Sequence, residues 1–131
     1  MLKVFTDAAT NLEKSGGGIL LISNEQKQLA IPLPEKNNHQ AELAVILYAL
    51  NYLIDHNLND QSILLYSDSK TAIKILDQGQ TKNKLFLPYL SEFNELAPKF
   101  PLLVLQWIPE AKNKGADNLA RQGLRKKLQD R

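Results

Sequence analysis

The chain has 131 residues, a net charge of +2 and an apolar fraction of 44%, so we expect residues 1–131 to form one soluble domain with its own hydrophobic core. It contains no cysteine, which excludes disulfides and thiolate-bound metals and leaves oxygen or imidazole as metal ligands. No apolar run reaches membrane-spanning length and residues 1–7 do not resemble a signal peptide, so we expect a cytoplasmic monomer without a membrane or an obligate protein partner.

The first third of the chain predicts an antiparallel arrangement of three strands. Asp7 is expected to end the first strand, and residues 8–18 are expected to be a loop in which Gly16, Gly17 and Gly18 mark a turn. Residues 24–27 have the composition of a hairpin turn. The three predicted strands are residues 2–6, 19–23 and 28–32.

Helices and strands alternate in the rest of the chain. Residues 38–56 predict a helix that is apolar on most of its circumference, with Glu42 in its first turn. The apolar run from residue 62 or 63 predicts a buried strand that ends at Asp68, and Asp68 or Ser69 is suited to cap the next helix. The remaining elements are helices at residues 69–76, 84–96 and 113–128 and a strand at residues 102–108. This order predicts an α/β fold, with a mixed five-stranded sheet and helices on both faces.

Four acidic residues occur near element ends: Asp7, Glu42, Asp68 and Asp117. If the first and fourth strands are neighbours, the carboxylates at their carboxyl ends meet, where ligands bind in open α/β sheets. Converging carboxylates either raise one another's pKa or bind a cation, and all-oxygen ligation favours Mg²⁺ or Mn²⁺. Each acid taken singly also has an ordinary explanation as a turn residue, a helix cap or a partner of a helix dipole.

The C-terminal segment is basic. Residues 112–131 contain seven lysines and arginines against two aspartates, whereas residues 1–111 are net acidic. A basic terminal helix favours a polyanionic partner. Cations that complement the dipole of a solvated helix end are an equally ordinary explanation.

Four segments resemble, in order, the motifs of type 1 ribonuclease H, and the similarity covers almost the whole chain. They are residues 5–7, 38–43, 65–69, and 107–109 together with 113–120. The resemblance implies a ribonuclease H-like fold and endonucleolytic cleavage of the RNA strand of an RNA–DNA hybrid, leaving 5′-phosphate and 3′-hydroxyl ends. It also implies two Mg²⁺ ions about 3.5–4 Å apart, with Mn²⁺ as the alternative. The implied catalytic residues and metal ligands are Asp7, Glu42, Asp68 and Asp117.

The resemblance further implies a set of substrate contacts. Residues just before the glutamate would read 2′-hydroxyl groups across the minor groove without base specificity. An asparagine before the last aspartate would help to hold a phosphate, and two flanking lysines would contact the backbone or remain as solvated loop residues. These residues are Asn38, His39, Gln40, Asn113, Lys112 and Lys114.

Three features differ from the family pattern. The segment before the last helix lacks the histidine that many members carry, for which Glu110 is a candidate substitute. The first loop lacks the usual glycine-asparagine-proline pattern, and residues 77–84 are too few for an extended basic handle. We therefore expect a slower enzyme whose hybrid binding weakens steeply with salt. A non-catalytic hybrid-binding module, a junction resolvase and a 3′–5′ exonuclease remain alternatives.

Overall fold

The computed structural model describes residues 1–128, and the described part contains five strands and four α-helices in the predicted order. Two short 3-10 helices at Ala97–Lys99 and Glu110–Lys112 complete it. The bounds are β1 Leu2–Thr10, β2 Ser15–Ile22, β3 Gln26–Leu33, α1 Asn38–Asp55, β4 Ser62–Ser67, α2 Lys70–Gln78, α3 Leu87–Leu96, β5 Leu102–Trp107 and α4 Lys114–Arg125.

The five strands form one mixed sheet in the order β3-β2-β1-β4-β5. The first three strands pair antiparallel, whereas β4 pairs parallel with β1 on one side and with β5 on the other. This arrangement confirms the predicted α/β fold class. Because β1, β4 and β5 are parallel, their carboxyl ends lie at the same edge of the sheet.

The glycine run does not form the predicted turn; it lies inside β2. A Cβ atom on Gly18 would lie 2.0 Å from the Ala116 carbonyl oxygen of α4, and one on Gly16 would lie 2.1 Å from the Leu124 nitrogen. A Cβ atom on Gly17 would instead meet Val45 of α1. The glycines are therefore needed because two helices approach opposite faces of this strand, which also confirms helices on both faces of the sheet.

Strand β1 is longer than predicted, and Asp7 lies within it rather than at its end. The strand continues because Ala8, Ala9 and Thr10 pair with the first residues of β2. The parallel pairing with β4 stops earlier, at the register of Thr6 with Ser67. Asp7 therefore lies at the level where the parallel neighbour β4 ends, although β1 itself continues to Thr10.

The helix ends show how local sequence sets each boundary. Asn37 caps α1 by accepting hydrogen bonds from the His39 and Gln40 backbone N–H groups, so Glu42 lies in the second turn and not the predicted first. Ser69 caps α2, which is one of the two predicted residues.

The last two helices are shorter than predicted. Helix α3 begins at Leu87 rather than at residue 84, with Pro88 in its first turn, where a missing N–H costs little. Helix α4 ends at Arg125, so residues 126–128 are not helical. Asp130 and Arg131, which were counted in the basic C-terminal segment, lie outside the described residues.

The core lies mainly between α1 and the sheet. Helix α1 is buried on most of its surface, as predicted, and the α3 residues Leu90, Phe93 and Leu96 pack into the same cluster. Within residues 1–128, no helix combines the length and the apolar character that crossing a membrane requires. The largest side chains that are fully buried include Val4, Ile19, Ile46, Leu50, Leu53, Ile63 and Leu65.

We predict that Gly18→Ala lowers the free energy of unfolding by about 1–3 kcal/mol, because the added Cβ atom would overlap the backbone of α4. Urea unfolding followed by circular dichroism measures the change. Gly115→Ala is the control, since its Cβ atom would meet only the movable end of the Leu20 side chain. Equal stability of the Gly18→Ala variant and the unmodified protein would contradict the packing described.

Candidate active site

Three of the four predicted acids meet at the carboxyl edge of the sheet. Asp7 of β1, Glu42 of α1 and Asp68, which follows β4, each offer a carboxylate oxygen, and these oxygens lie within 4.8 Å of one another. Asp7 and Glu42 are only 6% and 8% exposed, whereas Asp68 is half-buried. The three acids line a cavity of about 540 Å³.

Hydrogen bonds from the protein hold two of the three carboxylates in place, those of Glu42 and Asp68. The Ala8 backbone N–H donates to Glu42 Oε1 at 3.0 Å. The Asn113 side-chain amide donates to Asp68 Oδ2 at 3.1 Å and to the Thr6 carbonyl oxygen at 2.8 Å. Asn113 thus ties the segment before α4 to the ends of β1 and β4.

Burial and proximity make the charged forms of these acids costly. Burial, followed by the charge of the nearby Asp68, raises the pKa of Asp7 from its ordinary value of 3.8 to about 7. Burial, followed by the charge of Asp7, raises the pKa of Glu42 well above its ordinary range. Without a cation, the cluster therefore retains protons at a pH where carboxyl groups are ordinarily ionised.

Asp117, the fourth predicted acid, lies at the rim of the cluster and not inside it. Both of its carboxylate oxygens accept from Arg121 Nε, one turn further along α4, at 3.2 and 3.3 Å. Its side chain is 37% exposed. Asp117 and Arg121 line a smaller cavity of about 110 Å³ with Asp7, Asp68 and Glu110, so Asp117 faces the cluster across this space.

The predicted substrate-binding residues are distributed unevenly. Asn38 and His39 line the large cavity, whereas Gln40, Lys112 and Lys114 do not. The amide nitrogen of the buried Asn113 already donates to two protein groups. Contact between Asn113 and a phosphate stays a prediction, and the structure gives this residue a clear role in positioning Asp68.

Lys70 and Trp107 are among the lining residues that were not predicted to belong to the site. Lys70 and Trp107 both line the large cavity, and the Lys70 ammonium lies over the Trp107 ring. Lys70 comes two residues after Asp68 in the sequence, and this spacing could have indicated that it lies near the site. Lysines at helix starts are common, however, so the spacing alone does not distinguish Lys70 from a solvated lysine.

The residues present fit a hard divalent cation. The three clustered carboxylates supply oxygen ligands, and Glu42 Oε2 is a buried oxygen without a hydrogen-bond partner among the described residues. A buried acceptor of this kind is costly unless something binds it. Oxygen ligands alone match Mg²⁺ or Mn²⁺ rather than a thiophilic metal.

Comparison with known proteins identifies the family. Residues 6–123 match the family described as "Reverse transcriptase-like". The chain belongs to this ribonuclease H-like family, which confirms the resemblance to type 1 ribonuclease H. A protein of Enterococcus faecalis that bears the name "Putative hydrolase EbsB" is 43% identical over 129 residues, which cover 96% of each chain.

Solved structures of similar fold include two ribonucleases H1. RNase H1 of the halophilic archaeon Halobacterium salinarum has a TM-score of 0.84 at 24% identity, over 94% of this chain and 96% of that one. LC11-RNase H1, solved in complex with an RNA/DNA hybrid, has a TM-score of 0.85 at 19% identity, over 95% and 96% of the two chains. At these identities the likeness establishes the fold.

We predict that the metal-free protein loses stability as the pH rises from about 4 to 7. In this range the raised pKa of Asp7 means that the folded state holds a proton that the unfolded state has released. The contribution of this proton to the free energy of unfolding is fully present below the unfolded-state pKa of Asp7, and it is lost as the pH rises through the folded-state pKa. Urea unfolding in EDTA at a series of pH values measures this slope.

Asp7→Asn should flatten the slope and make the metal-free protein more stable at pH 8. Asp77→Asn, which changes an exposed acid of α2, should leave the slope unchanged. A slope that is identical in the Asp7→Asn variant and the unmodified protein would contradict the assignment.

Proposed function

We propose that this protein is an endoribonuclease that hydrolyses the RNA strand of RNA–DNA hybrids. The observation that carries the proposal is the meeting of three carboxylates from β1, α1 and the end of β4 within 4.8 Å. The ribonuclease H-like family and fold support it, as does the fact that one protein of this fold was solved in complex with an RNA/DNA hybrid.

Asp7, Glu42 and Asp68 would hold divalent cations, with Asp117 as a fourth ligand. When bound, such ions lower the pKa of an attacking water and stabilise charge on the departing 3′ oxygen. The chain's own contribution is to position the ligands. The Ala8 N–H fixes the Glu42 carboxylate and Asn113 fixes the Asp68 carboxylate, so neither has to be ordered when substrate binds.

Asp117 is held differently from the other three acids. Its ion pair with Arg121 joins two partly exposed side chains one turn apart on a helix, and such pairs are worth only about 0.3–0.5 kcal/mol. Asp117 can therefore leave Arg121 at low cost and turn towards the cluster. Asp117 would then help Asp7 and Asp68 to hold a second divalent cation.

Recognition of RNA would take place in the same cavity as the acids. Asn38 and His39 precede Glu42 in the same helix and line this cavity, and their polar groups suit contacts with 2′-hydroxyls. Gln40, Lys112 and Lys114 would act further out on the duplex. The products would carry 5′-phosphate and 3′-hydroxyl ends, and we propose that the chain acts as one domain and as a monomer.

The proposal predicts metal-dependent cutting of one substrate class. Labelled RNA–DNA hybrid, double-stranded RNA, double-stranded DNA and a four-way junction are incubated with Mg²⁺, Mn²⁺ or EDTA and resolved on a denaturing gel. We expect cleavage of the RNA strand of the hybrid alone, with no cleavage in EDTA. Asp7→Asn and Asp68→Asn should each lower the rate at least roughly a hundredfold, because each removes a charged metal ligand. Asp77→Asn is the matched control and should cut normally.

Each alternative has its own outcome in this experiment. Junction cutting would indicate a resolvase, stepwise shortening from a 3′ end would indicate an exonuclease, and tight hybrid binding without cutting would indicate a binding module. Any of these three results would contradict the proposal. Cleavage by Asp68→Asn at the normal rate would contradict the assigned site.

Divalent metal should also raise the melting temperature, because a cation offsets the repulsion among the clustered carboxylates. Mg²⁺ at a hundred times its Kd would add about 2.7 kcal/mol to the free energy of unfolding. Differential scanning calorimetry measures the shift, with NaCl at equal ionic strength as the control for screening. The Asp7→Asn variant should show little of this Mg²⁺-induced rise in melting temperature. An unchanged melting temperature of the unmodified protein at saturating Mg²⁺ would argue against a preformed site.

A further inference from the structure

Lys70 holds an unusual position at the candidate active site. It is the first residue of α2, two residues after Asp68, and its side chain is exposed where it lines the large cavity. In the part of the chain that the structure describes, no other lysine or arginine lines this cavity. The acids that line it are Asp7, Glu42, Asp68, Glu110 and Asp117.

The Lys70 side chain is held by an aromatic ring and not by a carboxylate. Its ammonium nitrogen lies 4.6 Å from the centroid of the Trp107 ring, within the range of a cation–π contact. Within residues 1–128 the ion pair found is Asp117–Arg121, so no described acid neutralises Lys70. Its positive charge remains available to a ligand.

Trp107 is itself fixed relative to the acids. It is the last residue of β5 and pairs with Ser67 of β4, and its indole N–H donates to the Asp68 carbonyl oxygen at 3.1 Å. The ring that holds the Lys70 ammonium is therefore fixed to the backbone of Asp68. A lysine held in this way loses less conformational freedom on binding than one on a free surface.

We propose that Lys70 binds a backbone phosphate of the nucleic acid, one other than the phosphate that is cleaved. This inference rests on the proposed function. A polyanion that approaches five acids meets strong repulsion, and each phosphate that pairs with a lysine releases counterions and favours binding. Lys70 would thus be a positioning residue that sets where the strand crosses the acidic cavity, with Trp107 as its support.

The test compares Lys70→Gln with Lys99→Gln. Lys99 is also exposed, but it precedes β5 and so lies at the opposite edge of the sheet from the acids. Binding of a fluorescent RNA–DNA hybrid is followed by anisotropy with Mg²⁺ at several salt concentrations. Both variants are made in a Glu42→Gln background, which prevents turnover under the proposed mechanism.

We expect Lys70→Gln to weaken hybrid binding roughly tenfold and to reduce the slope of log K against log salt by about 1, the effect of one lost phosphate contact. Lys99→Gln should change neither quantity. With Glu42 restored, Lys70→Gln should raise KM and leave kcat within about twofold, because a contact made equally in ground and transition states affects binding only.

Two further variants test the mechanism. Lys70→Arg should restore both affinity and salt slope, since arginine keeps the charge and also stacks on aromatic faces. Trp107→Phe keeps a ring beneath Lys70 but loses the indole N–H, so it should weaken binding less than Lys70→Gln does. Melting temperatures of all variants are measured alongside to detect any general loss of folding.

The outcomes are distinct. Unchanged affinity and salt slope in Lys70→Gln, with or without a lower melting temperature, would overturn the inference and leave Lys70 as a packing partner of Trp107. A fall in kcat without a change in KM would also overturn it. Hybrid binding that depends on Lys70 but is never followed by cleavage would support the inference and overturn the proposed function. Failure of the unmodified protein to bind any hybrid would overturn both.

Discussion

The mutual repulsion of Asp7, Glu42 and Asp68 is the constraint on which the arrangement of this protein depends. Their carboxylate oxygens lie within 4.8 Å of one another and two of the side chains are buried, so the charged cluster opposes folding. Few polar groups offset this cost within the described residues, chiefly the Ala8 N–H and the Asn113 amide. An arrangement this unfavourable for the apoprotein is what a cation-binding site requires, because the ligands are brought together before the ion arrives.

Packing far from the acids supplies the stability that keeps them together. Helix α1 carries Glu42 and is buried along most of its length against the sheet. Helix α4 lies directly on the backbone of β2, because Gly16 and Gly18 have no side chains that would hold the helix away from the strand. That contact also sets the position of Asn113 and Asp117, at the start of α4. The glycine run therefore helps to position residues of the acid site, although the glycines themselves have no part in its chemistry.

Periodicity and strand ends are local properties of the sequence, so they could predict the element order, the mixed sheet and the meeting of Asp7 with Asp68. The place of Glu42 beside these two acids was implied by the resemblance to type 1 ribonuclease H. The glycine run was misassigned because the same residues suit a turn and a close helix–strand contact, and only the approach of α4 decides between them. Two features depend on distances between segments that are far apart in sequence. These are the contact of the Asn113 amide with Asp68 and the contact of Lys70 with Trp107. No local pattern contains those distances.

The most direct test of a preformed cation site is anomalous diffraction from crystals of the protein soaked in Mn²⁺, without nucleic acid. We predict an anomalous peak within bonding distance of the Asp7, Glu42 and Asp68 carboxylates, with the backbone of β1, α1 and β4 unmoved. A crystal at saturating Mn²⁺ with no peak between these three carboxylates, or with the carboxylates turned apart, would contradict it.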